Sequence, residues 1–149
     1  MEKACTFFGH RDCPTAIKPK LREAVIELIE KEGVDVFYVG NQGAFDRIAR
    51  SVLRELSADY PRIRYAVVLE RVPEGQPESA EDTLVPEGIE TAHPRYAIAR
   101  RNEWMLRQCG FAIVYIKHSW GGAARYAELA RRRKITMINL AESQTVALP

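Results

Sequence analysis

The feature that most limits the fold is an alternation repeated along the chain. A short β-favouring apolar run stops at a turn, and a longer stretch with apolar residues at helical spacing follows. Residues 3–8 form the first run, ending at Gly9. From there Ile17, Leu21, Ala24, Val25, Leu28 and Ile29 share one helical face, with Pro19 tolerable in the first turn and Gly33 as the stop. Residues 34–39 repeat the strand, ending at Gly40, and Phe45, Ile48, Ala49, Val52, Leu53 and Leu56 repeat the helical stripe. A third strand, 63–69, leads into 71–94, whose four prolines and many acids predict a long surface loop with room for one short element. A helix over about 96–109, a strand over 111–116, a Gly121-Gly122 turn, a helix to about 133 and a strand over 135–140 follow. Strands alternating with helices pair in parallel, because each return needs a crossover helix. The order βαβαβ, loop, αβαβ therefore predicts an α/β fold: one doubly wound, mainly parallel five-stranded sheet with helices on both faces.

Composition narrows the class without naming a partner. The 149 residues suit one core, with no linker and no solenoid-length repeat, so 1–149 is read as a single domain. Hydrophobic residues make up 46% and charged residues 28%, far from the signature of disorder. No run approaches the roughly 18 to 20 apolar residues that a membrane-spanning helix needs, so no membrane partner is expected. Net charge is +2, with 22 basic and 20 acidic residues interleaved, so composition gives no nucleic-acid footprint. The run Arg131-Arg132-Arg133-Lys134 closes a predicted helix, where cations complement the dipole. Cys5, Cys13 and Cys109 are odd in number and show no metal spacing, and no signal-peptide pattern opens the chain; a reduced, cytoplasmic protein is expected. His93 and His118 lack partners at ligand spacing, so neither a metal nor a cofactor is expected.

In an open parallel sheet, ligands bind beyond the carboxyl ends of the strands, where the strand order reverses. Four segments reach that edge: Gly9-His10-Arg11, residues 40–46, the 71–94 loop and residues 118–122. Glycines there let backbone amides approach an anion, and a following helix N-terminus adds partial positive charge, so Gly9, Gly40, Gly43, Gly121 and Gly122 suit a phosphate. They also simply end strands. Neither Gly loop matches GxGxxG or a Walker P-loop, which argues against an ordinary dinucleotide dehydrogenase or nucleoside triphosphatase. His10 and Arg11 present a donor and a fixed cation after a strand, or cap a turn as a surface pair. Asp46 bonds a ligand hydroxyl or amine, or caps the second helix. Arg101 and Asn102 precede the fourth main strand and Glu128 follows it. Facing one cleft, Arg101 would hold phosphate while Glu128 stabilised an oxocarbenium-like centre or activated water; otherwise both are solvated helix residues. Trp120 stacks on a base or packs.

Taken together, Thr6-Phe7-Phe8-Gly9-His10-Arg11, Gly40 to Asp46, Arg101-Asn102-Glu103-Trp104-Met105 and Gly121-Gly122 with Glu128 resemble the SLOG superfamily. The nearest branch is one of small, mostly uncharacterised bacterial and phage proteins with a Gly-His-Arg start. The resemblance implies a Rossmann-like fold binding a nucleotide or nucleotide-derived molecule, as a sensor would, and a homodimer, since related proteins pair through helices. More distantly the chain is similar to the nucleoside monophosphate phosphoribohydrolases known as "lonely guy" proteins, and to the Rossmann domain of DNA-processing protein A. The phosphoribohydrolase motif is Pro-Gly-Gly-x-Gly-Thr-x-x-Glu, with an Arg-Lys pair on the preceding helix. Gly121, Gly122 and Glu128 fall on its first two glycines and its glutamate, and Arg101 on its arginine. Trp120, Ala124, Arg125 and Asn102 replace its proline, third glycine, threonine and lysine. The expectation is ligand binding at the carboxyl edge, with N-glycosidic hydrolysis by Arg101 and Glu128 as the enzymatic alternative and a DNA-binding adaptor as a third class.

Overall fold

The computed structural model describes residues 3–73 and 82–141. Its elements are β1 (Ala4–Gly9), α1 (Lys18–Glu32), β2 (Val36–Val39), α2 (Gly43–Asp59), β3 (Arg64–Val68), β4 (Thr83–Leu84), α3 (Pro94–Gln108), β5 (Phe111–Tyr115), α4 (Gly122–Arg132) and β6 (Thr136–Asn139). Pro19 sits in the first turn of α1, and Gly33 ends that helix in the left-handed conformation at φ 73°. Among the described residues no helix is long and apolar enough to cross a membrane.

The strands form one sheet in the order β4-β3-β2-β1-β5-β6, and every neighbouring pair is parallel. The sheet has six strands, which corrects the expected five. The additional one, β4, is two residues long and lies inside the segment read as a loop, where so short a piece carries no periodicity. It pairs in parallel along the edge of β3. Val67 donates its N–H to the Asp82 carbonyl at 2.9 Å, and Leu69 donates to Leu84 at 2.8 Å. Residues 74–81 of the same segment lie outside the described residues.

Alternation along the central strands divides the core between two helical layers. Cys5 and Phe7 of β1, Phe37 and Val39 of β2, and Ile113 and Tyr115 of β5 pack with the apolar stripes of α1 and α2. Phe8, Ala112 and Val114 pack instead with Met105 and Leu106 of α3 and Tyr126, Ala127 and Ala130 of α4. Each fully buried Leu, Ile or Phe in these stripes contributes about 1.5–3 kcal/mol. After β1 the chain winds outward through β2, β3 and β4, then returns to place β5 on the other side of β1. The order therefore reverses between β1 and β5, and the loops leaving those two strands diverge there.

Candidate functional site

A cleft of about 440 Å³ opens at that point of reversal. Its walls are the β1 end and following turn (Phe7 to Asp12), Gln42 and Asp46 at the start of α2, Ile98, Arg101, Asn102 and Met105 of α3, and His118 with Trp120 to Ala123 between β5 and α4. Of the residues singled out from sequence, Gly9, His10, Arg11, Asp46, Arg101, Asn102, Trp120, Gly121 and Gly122 line this one cavity. Gly40 and Gly43 stand behind its wall. A Cβ on Gly40 would lie 2.8 Å from Asp46 Oδ2 and 3.1 Å from the Arg101 guanidinium carbon, and one on Gly43, at φ 85°, would lie 2.9 Å from Arg11 Cγ. These glycines make room for side chains of the site. Gly9 acts similarly, since any side chain there would overlap the buried Phe45 ring.

The two glycine loops differ in what their amides do. At the start of α2, Asp46 Oδ2 accepts the Gln42 N–H at 2.9 Å and the Arg11 carbonyl accepts the Ala44 N–H at 3.3 Å, so these donors are already satisfied. The start of α4 has no side-chain cap. Gly121 there adopts φ 96°, ψ 169°, a conformation open essentially to glycine alone, and no atom lies within 4 Å of where a Cβ on Gly121 or Gly122 would be. The α4 terminus thus presents backbone donors and the positive end of a helix dipole to the cleft.

His10 continues the β1 ladder through its N–H to the Tyr115 carbonyl, which directs its ring toward the β5 loop. Its Nε2 accepts the Lys117 N–H at 3.0 Å, so the imidazole is neutral at that nitrogen; burial, then the neighbouring His118, lowers its pKa, with Asp12 opposing. The His118 ring stacks on His10 at 3.7 Å and on Trp120 at 3.7 Å, both at 15°, and its Nδ1 lies 3.0 Å from the Trp120 carbonyl that accepts from it. The stack runs from the buried His10 to Trp120, which is 69% exposed. His118, which sequence places in the 118–122 edge segment without assigning it a ligand role, lines the cleft. The bend over residues 117–119 brings its ring and that of Trp120 onto one face, which strand periodicity could not have signalled.

Arg101 is neither a free clamp nor a solvated helix residue. Its side chain is 2% exposed; Nε donates to Asn102 Oδ1 at 2.8 Å, one terminal nitrogen donates to Asn41 Oδ1 at 2.8 Å and to the Val68 carbonyl at 3.0 Å, and the same nitrogen lies 3.7 Å from Glu70 Oε2. Burial pulls its pKa down while Asp46 and Glu70 hold it charged. It ties α3 to the ends of β2 and β3. Asp46, 8% exposed, has its pKa raised to about 6 by burial, against the lowering effects of the Gln42 N–H, Arg101 and Arg50.

Glu128 does not join Arg101. It lies on the other side of α4, in a separate depression with Ser119, Met137 and Asn139. There it accepts from Arg131 at 2.5 and 3.0 Å and pairs with Arg132 at 3.5 Å, which lowers its pKa.

With this geometry the chain can be set against known structures. It shares its fold with DNA processing protein A from Streptococcus pneumoniae. The two superpose with a TM-score of 0.67 at 15% identity, over 91% of this chain and 49% of that one, so this chain spans about half the length of its neighbour. The likeness supports a Rossmann-like fold. No family model and no curated protein matches the sequence.

Proposed function

We propose that the protein binds a nucleotide or nucleotide-derived small molecule in the cleft between the β1 and β5 loops, with the phosphate on the α4 amides and the base against Trp120. The observation that carries this reading is that the uncapped α4 start and the His10–His118–Trp120 stack border one cavity. An anion site beside an exposed aromatic face matches the two ends of a nucleotide.

Binding is favoured over N-glycosidic hydrolysis because Glu128, the carboxylate assigned to that chemistry, borders a different depression and is neutralised by two arginines. The test is calorimetric titration with the common nucleoside 5′-monophosphates, together with chromatography for released base. Trp120→Ala is expected to weaken binding roughly tenfold, the worth of one stacked base. Glu128→Ala is expected to leave binding unchanged. Base release by the wild type that Glu128→Ala abolishes would refute the binding reading in favour of hydrolysis.

A further inference from the structure

We infer that Asp46 makes the cleft selective for ribose, its carboxylate accepting hydrogen bonds from the 2′- and 3′-hydroxyls of a bound ribonucleotide. The inference rests on the nucleotide reading above and assigns the part of the ligand that reading leaves open. Trp120 and the Gly121–Gly122 amides are adjacent in the chain, so a base on the first and a phosphate on the second enter from the same side of the cleft. In a nucleotide both groups hang from one edge of the sugar, at C1′ and C5′. The opposite edge, bearing the 2′- and 3′-hydroxyls, then faces across the end of β1 toward α2. The lining residues of α2 and the turn before it are Gln42 and Asp46.

Asp46 has the chemistry to receive a diol. An ionised carboxylate is acceptor-only and has more lone pairs than the Gln42 N–H takes up. The charged groups acting on it are Arg50 on its own helix and Arg101 from α3, and with both present burial still raises its pKa to about 6. Burial deprives the carboxylate of solvent, and donors from a ligand supply what solvent does not. Asp46 and Asp12 disfavour a phosphate at that end, where Arg11, which donates to Gln42 Oε1 at 3.4 Å, is the opposing cation. Hydrogen bonds to a charged acceptor are among the stronger ones, so loss of the 2′-hydroxyl weakens binding roughly tenfold or more.

The experiment titrates the full chain at pH 8 with the four common ribonucleoside 5′-monophosphates and their 2′-deoxy counterparts, repeats both at pH 5, and then repeats the series on Asp46→Asn. For at least one base, the ribonucleotide is expected to bind roughly tenfold or more tightly than its deoxy form. That preference shrinks at pH 5, where Asp46 is protonated, and shrinks several-fold in Asp46→Asn. The deoxy series shares every pH effect that does not involve the 2′-hydroxyl, and the wild-type arms need no variant to fold. Equal binding of both sugars overturns the Asp46 assignment and leaves the nucleotide reading standing. A sugar preference undiminished in Asp46→Asn, or a preference for amino-bearing bases that the substitution erases, also overturns it. No binding by any nucleotide overturns both.

Discussion

Replacing Asp46 by asparagine is expected to stabilise the protein, and only where the carboxylate is ionised. Burial raises its pKa from 3.8 to about 6, so the charged form is disfavoured by about 3 kcal/mol relative to the unfolded chain. An acid whose folded pKa lies above its unfolded value contributes stability that is complete below the unfolded pKa and lost as pH rises through the folded one. The wild type therefore carries the full cost above about pH 7 and none near pH 3. Asparagine keeps an oxygen to accept the Gln42 N–H at 2.9 Å without the charge, while its amide hydrogens face Arg101 and Arg50. Allowing for that, the gain at pH 8 is about 1–3 kcal/mol, or roughly 3–10 °C in Tm for a chain of this size. Thermal and urea melts of both proteins from pH 4 to 8 measure it. A variant less stable at pH 8, or a difference that does not shrink toward pH 4, would refute the assignment of Asp46 as a strained carboxylate. A stabilising result would identify a residue retained against stability, the pattern expected where ligand recognition requires the charge.

Four further outcomes are expected. Arg101→Met removes the bonds to Asn41, Val68 and Asn102 and leaves Glu70 and Asp46 without their shared cation; it should cost about 3–5 kcal/mol at pH 8, with part recovered at pH 5, in denaturant melts. Gly9→Ala forces the Phe45 ring aside and should cost about 1–3 kcal/mol by the same assay. Gly43→Ala places a side chain at φ 85° against Arg11 and should cost about 1–2 kcal/mol. Light scattering at tens of micromolar should give the mass of a homodimer, and a monomer mass there would count against the pairing that the sequence resemblance implies.

The alternation of strands and helices was legible because it is a property of single residues: period two on the strands, period near four on the helices, and glycines at the boundaries. The central five strands and four helices follow from it. β4 was not legible, since two residues have no period and their place is set by pairing with β3. For the site, the topology rule located the right edge, and most of the residues it pointed to border one cavity. What the sequence could not convey is the direction of each side chain. Arg101 and Glu128 are both polar helix residues near that edge. The position of Arg101 on α3 turns it inward onto Val68 and Asn41, whereas that of Glu128 on α4 turns it toward Arg131 and Arg132. A motif match by residue type cannot separate those two fates. With Asn102 in place of a lysine, Arg101 bonds its own neighbour and is held within the structure by Asn41 and Val68. The carboxylate that remains at the cleft beside it is Asp46, on a helix outside the motif. In the proposed reading, Asp46 on the β1–β2 side receives the ligand's hydroxyls and the α4 amides on the β5 side receive its phosphate. A ligand that satisfies both must carry its negative charge and its hydroxyl donors on opposite edges.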